Sequence, residues 1–143
     1  MSGRIIGNKA FTLIELMIVM IVLGILASIA IGTVRIYLKK AYQITTKHDL
    51  KIFVEAQEKY FSDNGRYLGA AGDYVEGGPP PSGPLNIPEL GYKFSTGVRI
   101  DIISGDGQNP LTTPAFKAQA SHTRTTTIYV YDFSTSQTTE KDE

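Results

Sequence analysis

Glu15 raises the sharpest chemical question in this sequence. It is the only charged residue between positions 11 and 34, a stretch that is otherwise almost continuously apolar. An ionised side chain in a hydrocarbon setting costs on the order of 2.5 to 3.5 kcal/mol on insertion scales, and such residues usually mark function. A carboxylate there needs a partner, unless it lies near enough to the helix end to reach the headgroups. A second set of oxygen ligands falls at Asp101 and in the turn Ser104-Gly105-Asp106-Gly107-Gln108-Asn109. A calcium ion can be imagined on Asp101 and Asp106, but the spacing is no EF-hand and Gly-Asp-Gly is ordinarily just a turn, so no metal is expected. His48 and His122 are far apart and lack an acid at ligand spacing, which makes them surface or packing residues. Serines and threonines crowd the last third with neither a nucleophile elbow nor a base beside them. The chain has no cysteine, which removes thiolate catalysis, Cys-based metal sites and disulfides. No catalytic residue and no cofactor are expected.

The element that must position Glu15 is the apolar stretch itself. At about 1.5 Å per residue, residues 11–34 form a helix that spans a hydrocarbon core roughly 30 Å thick. Gly24, Ser28 and Gly32 fall four residues apart on one face of it, where another helix backbone could approach closely; glycine is also simply common in membrane helices. A secretory signal peptide is the rival reading, with Arg4 and Lys9 as its basic region and Ser28-Ile29-Ala30 as a small-x-small cleavage site. Its apolar region would normally be about 7 to 15 residues long and uncharged. Arg4 and Lys9 on one side face Arg35, Lys39 and Lys40 on the other, so charge leaves the orientation open. Lysine plus arginine equal aspartate plus glutamate at 14 each, and nothing in that balance calls for a nucleic-acid partner.

Beyond Gly32 no helix stop intervenes, and one continuous helix is expected to about Asp63. Leu50, Phe53, Val54, Gln57, Tyr60 and Phe61 recur at three- and four-residue spacing and should pack on a sheet. Asn64 or Gly65 supplies the stop. Residues 68–90, with the run Gly77-Gly78-Pro79-Pro80-Pro81-Ser82-Gly83-Pro84, read as a surface connector. Four antiparallel strands are expected after it, carrying Tyr92 and Phe94; Val98, Ile100 and Ile102; Phe116, Ala118 and Ala120; and Ile128 and Val130 against the helix. Lys93, Arg99, Asp101, Lys117 and Gln119 would face solvent. The polar tail, 134–143, is expected to be mobile. The fold class is α+β, a long N-terminal helix on a small antiparallel sheet.

Lys9-Ala10-Phe11-Thr12-Leu13-Ile14-Glu15-Leu16 and the apolar run behind it closely resemble the processing site of type IV pilins and type II secretion pseudopilins. The resemblance is strong over roughly the first 35 residues and otherwise a matter of layout. It implies a leader, 1–10, removed by a prepilin peptidase between Ala10 and Phe11, with N-methylation of the new Phe11 amine. Two departures stand out: Ala10 occupies the place where the family nearly always has glycine, and Gly32 the place where it commonly has proline. In a filament, the Phe11 amine of one subunit could pair with Glu15 of a neighbour, or Glu15 could pair within its own helix. Phe11, Glu15, Gly24, Ser28 and Gly32 are the assembly residues this implies.

The same resemblance implies a single-pass inner-membrane precursor surrounded by lipid. It would then join a helical homo-oligomer on an inner-membrane assembly platform, as a cell-surface pilus or as the periplasmic pseudopilus of a type II secretion system. No nucleic acid is required. The more remote alternative is a small secreted binding domain that starts near Ile31 and holds an ion on its Gly-Asp-Gly turn. Aromatics from Phe11 to Phe61 invite a charge-transport idea, but at helical spacing they are ordinarily packing residues.

Overall fold

The computed structural model describes residues 11–85, 91–105 and 115–142. The leader with Ala10, and Asp106 of the Gly-Asp-Gly turn, lie outside the described residues. The chain divides into two units, Met1–Tyr37 and Leu38–Glu143. One helix, α1 (Leu13–Asn64), supplies residues to both.

In the first unit, Thr12 and Glu15 start the helix together. The Glu15 carboxylate accepts the Thr12 backbone N–H at 2.8 Å, while Glu15 N–H reaches back to Thr12 Oγ1 at 3.3 Å. This is a capping box, which satisfies donors that a helix start leaves unpaired. Ser28 and Thr33 spend their hydroxyls on the carbonyls of Ile25 and Ala30, at 2.8 and 2.9 Å, so neither presents a free donor. Every side chain from Phe11 to Tyr37 is exposed. The helix is long and apolar enough to cross a membrane.

In the second unit, α1 turns Thr46, Asp49, Leu50, Phe53, Val54 and Gln57 inward, a period of 3.6 residues. It ends as expected: Gly65 adopts φ 69°, and its N–H donates to Phe61 O at 2.7 Å, closing the last turn. Five antiparallel strands follow as a meander, β1 (Tyr74–Glu76), β2 (Val98–Ser104), β3 (Lys117–His122), β4 (Thr127–Asp132) and β5 (Gln137–Asp142), in sheet order β1-β2-β3-β4-β5. Val75, Ile100, Ala120 and Tyr129 lie in one cross-strand row, all buried, and join Leu50, Phe53 and Val54 in the core.

Three expectations about the sheet need correction. Tyr92 and Phe94 form no strand; residues 91–97 are a loop bounded by Gly91 at φ 67° and Gly97 at φ 84°. Phe94 is nevertheless buried, because the loop packs directly on Gly77, where a Cβ would fall 2.1 Å from Ser95 O. The first strand comes instead from the expected connector, as Tyr74–Glu76, and Glu76 and Ser82 then close the Gly/Pro run with a bridge.

Ile128 and Val130 lie on the face away from the core, while Thr127 and Tyr129 are buried. The pairing of β3 with β4 decides this. Tyr129 stands opposite the buried Ala120, and directly opposed residues share a face. Ala118 and Ala120, both fully buried, stand opposite Tyr131 and Tyr129.

The tail expected to be mobile contributes β5. Gln137 pairs with Asp132 and Asp142 with Thr127, a full ladder of six residues. Its side chains are all exposed, so backbone hydrogen bonds rather than apolar burial hold it there.

Candidate functional site

The candidate site is the N-terminal part of α1. Phe11 is 85% exposed, and the apolar side chains behind it, Leu13 to Val34, are each about half exposed or more. Contiguous apolar surface on this scale marks a protein or membrane contact. Its one carboxylate is already held at its own helix start, since Thr12 Oγ1 also donates to Glu15 Oε2 at 2.9 Å. These capping interactions join Thr12 and Glu15, both beyond Ala10 in sequence, so a cut after Ala10 would remove neither partner of the three bonds. Thr12 is the capping residue that the sequence reading missed, although a Thr-x-x-Glu spacing before an apolar run is a readable signal.

The small residues of the stripe leave space. A Cβ built on Gly24 or Gly32 would meet nothing within 4 Å. Ser28 stands between them in sequence with its hydroxyl turned to the backbone.

Other sequence candidates fall elsewhere. Asp101 sits on β2 and binds Arg99, whose Nε and Nη2 both approach Oδ1 at 2.8 Å. Arg99 in turn stacks 3.8 Å over the Tyr74 ring. Among the described residues no three His, Cys, Asp or Glu side chains are placed to hold a metal ion. His48 is exposed. His122 is buried against Tyr42 of α1, with ring centres 4.5 Å apart, and its Nδ1 accepts the Arg124 backbone N–H at 3.0 Å. Burial lowers its pKa, and the neighbouring Arg124 charge lowers it further.

Several aromatic side chains of the second unit gather in packing clusters, whereas Phe11 and Tyr37 are exposed. Tyr67 touches Phe61, Phe116 and Phe133 at 4.7 to 4.8 Å and donates to Glu58 at 3.2 Å. Burial and then the Glu58 charge push its pKa up to about 12.

A capped apolar helix at the N-terminus, continuing into a segment that packs on an antiparallel meander, defines the pilin fold. Residues 7–31 match the family described as the prokaryotic N-terminal methylation motif. The chain is also similar to the type IV major pilin protein PilA of Myxococcus xanthus (strain DK1622), with 35% identity over 99 residues. That match covers 69% of this chain and 40% of the relative, so the chain spans well under half the length of the protein it resembles. Both matches support assigning the chain to the type IV pilin and pseudopilin family.

Proposed function

We propose that this chain is a structural subunit of a type IV pilus, anchored in the inner membrane by α1 until prepilin peptidase cuts between Ala10 and Phe11. The observation that carries the reading is the exposed apolar helix. The chain's own fold buries none of its most apolar window, so that surface requires lipid, other helices, or each in turn. In this mechanism the helix first lies in the bilayer and then exchanges lipid for neighbouring subunits on the assembly platform. Because the helix leaves lipid rather than water, close packing and paired polar groups supply the cohesion. Gly24, Ser28 and Gly32 offer the close approach.

Cleavage would create a cation on Phe11, four residues from Glu15. A methylated amine remains basic and can pair with the carboxylate of a neighbouring subunit in a low-dielectric core. The Thr12 cap supports this role by fixing the carboxylate at the helix start before a partner arrives. Similarity to a protein named a major pilin supports a pilus over a pseudopilus, with the surface as the final location.

The test is Glu15→Ala in a cell that makes the filament. The account expects membrane insertion and cleavage to persist while filament yield falls at least tenfold; wild-type yield would contradict it.

A further inference from the structure

We propose that the β3–β4 turn and Lys39 of α1 together form a docking surface for the phosphate headgroups of an anionic bilayer. The proposal rests on the membrane-precursor reading above and adds a second contact to it, made by the folded head.

Between Glu15 and Asp49 the chain has no acidic residue but has Arg35, Lys39, Lys40 and Lys47. Lys39 follows Val34, the end of the apolar stretch, by five residues. A link of five residues keeps Lys39 within reach of a headgroup layer of about 5 to 8 Å on each side of the hydrocarbon.

The fold brings a further cation to Lys39 from far along the chain. Lys39, Thr123, Arg124, Thr125 and Thr126 line a concave opening of about 380 Å³. Among the described residues no carboxylate lines it. Among the described residues neither Lys39 nor Arg124 makes an ion pair, whereas Lys47, Lys51, Arg99 and Lys117 each do.

The backbone of Arg124 is held by the turn, and its side chain lies towards Tyr42. Its N–H is bound by His122 Nδ1, and its guanidinium carbon stands 6.0 Å from the centre of the Tyr42 ring. Thr125 N–H donates to His122 O and Thr123 N–H to Gly97 O, both at 3.0 Å. Thr125 Oγ1 is buried and, among the described residues, has no hydrogen-bond partner, so the hydroxyls open to a ligand are those of the exposed Thr123 and Thr126.

A guanidinium, a lysine and clustered hydroxyls are phosphate-binding chemistry. Lys39 and Arg124 are exposed, which favours lipid as the source. A lone phosphate ion gains little at a wet site, whereas a bilayer presents many phosphates and the anchor holds them at high effective concentration.

The experiment places the full chain in nanodiscs of phosphatidylcholine, with or without phosphatidylglycerol, and carrying a headgroup spin label. It reads the relaxation of the amides of residues 123–126. Broadening is expected only with phosphatidylglycerol, and it should fall several-fold in Arg124→Gln and also in Lys39→Gln, which leaves the turn untouched. The β5 amides should be unaffected. Equal broadening in both lipids, or insensitivity to both substitutions, overturns the proposal. So does an equal response to inorganic phosphate in phosphatidylcholine discs, which would identify a free-anion site. A chain that inserts into neither disc overturns the membrane reading along with this inference, whereas insertion without headgroup contact overturns this inference alone.

Discussion

Asp49 of α1 accepts the backbone N–H of Ser95 at 2.7 Å, joining the helix to a loop 46 residues away. The carboxylate is fully buried, and the Ser95 and Tyr92 hydroxyls complete its shell at 3.2 and 3.3 Å. Removing such an acceptor leaves buried donors unpaired. Asp49→Ala should cost about 3 kcal/mol, and Asp49→Asn, which keeps one oxygen, less. Chemical unfolding of the full chain in detergent would measure both; equal stability of Asp49→Ala and wild type would refute the anchoring role.

Gln57 closes the other end of the helix on the chain that follows it. Its amide donates to Leu68 O and accepts from Leu68 N–H, both at 2.8 Å. Glutamate has nearly the same shape but presents an oxygen where the amide N–H stood. Gln57→Glu should therefore destabilise the head by about 2 kcal/mol at neutral pH, and less once the carboxyl is protonated.

Residues such as these show why only part of the molecule was legible in its sequence. The span, end and inner face of α1 follow from an apolar stretch, a glycine stop and a 3.6-residue period, all of them local. The β4 face does not, because Ile128 and Val130 are more apolar than Thr127 and Tyr129, and the long-range pairing with Ala118 and Ala120 overrides that pattern. Strand β5 has no apolar alternation to read, only a backbone ladder. Of the candidate site, Glu15 and the stripe of small residues could be read directly. Thr12 was overlooked beside the apolar run, and no local pattern marks Asp49 as buried, because its partners Tyr92 and Ser95 come from the distant 91–97 loop.

His122 and Asp132 should give the head two separate acid-sensitive windows. Burial and Arg124 hold the folded His122 below its ordinary 6.5, with the Asp49 charge partly opposing them. The unfolded chain then binds the proton more readily, so stability is full above about 6.5 and declines as pH falls toward the lowered value. Asp132 is held down to about 2 by Lys117 and Ser134, so its contribution is present above 3.8 and lost as pH falls to about 2. Melting temperature against pH should show the upper step in wild type and lose that step alone in His122→Gln.

Tyr67 predicts the opposite sign at high pH. Its phenol is raised to about 12 from 10.0, so its contribution is present below 10.0 and lost as pH rises through about 12. Tyr67→Phe should remove this alkaline step in a pH-dependent unfolding series.

Thr12→Val should fray the start of α1. Losing the cap hydroxyl costs about 1 kcal/mol and removes one of the two hydrogen bonds that Thr12 donates to Glu15 Oε2. Hydrogen exchange in micelles should accelerate at the Glu15 amide and its first-turn neighbours, while amides beyond Gly24 stay protected. An unchanged first turn would mean that the capping box does not hold the helix start.

The most direct measurement of the filament account is intact mass with N-terminal sequencing of protein sheared from the cell surface. The account predicts a chain that begins at N-methylated Phe11, cut after Ala10 despite the absence of glycine there. A start near Ile31, or an intact Met1, would contradict it and return the chain to a secreted or simply anchored domain.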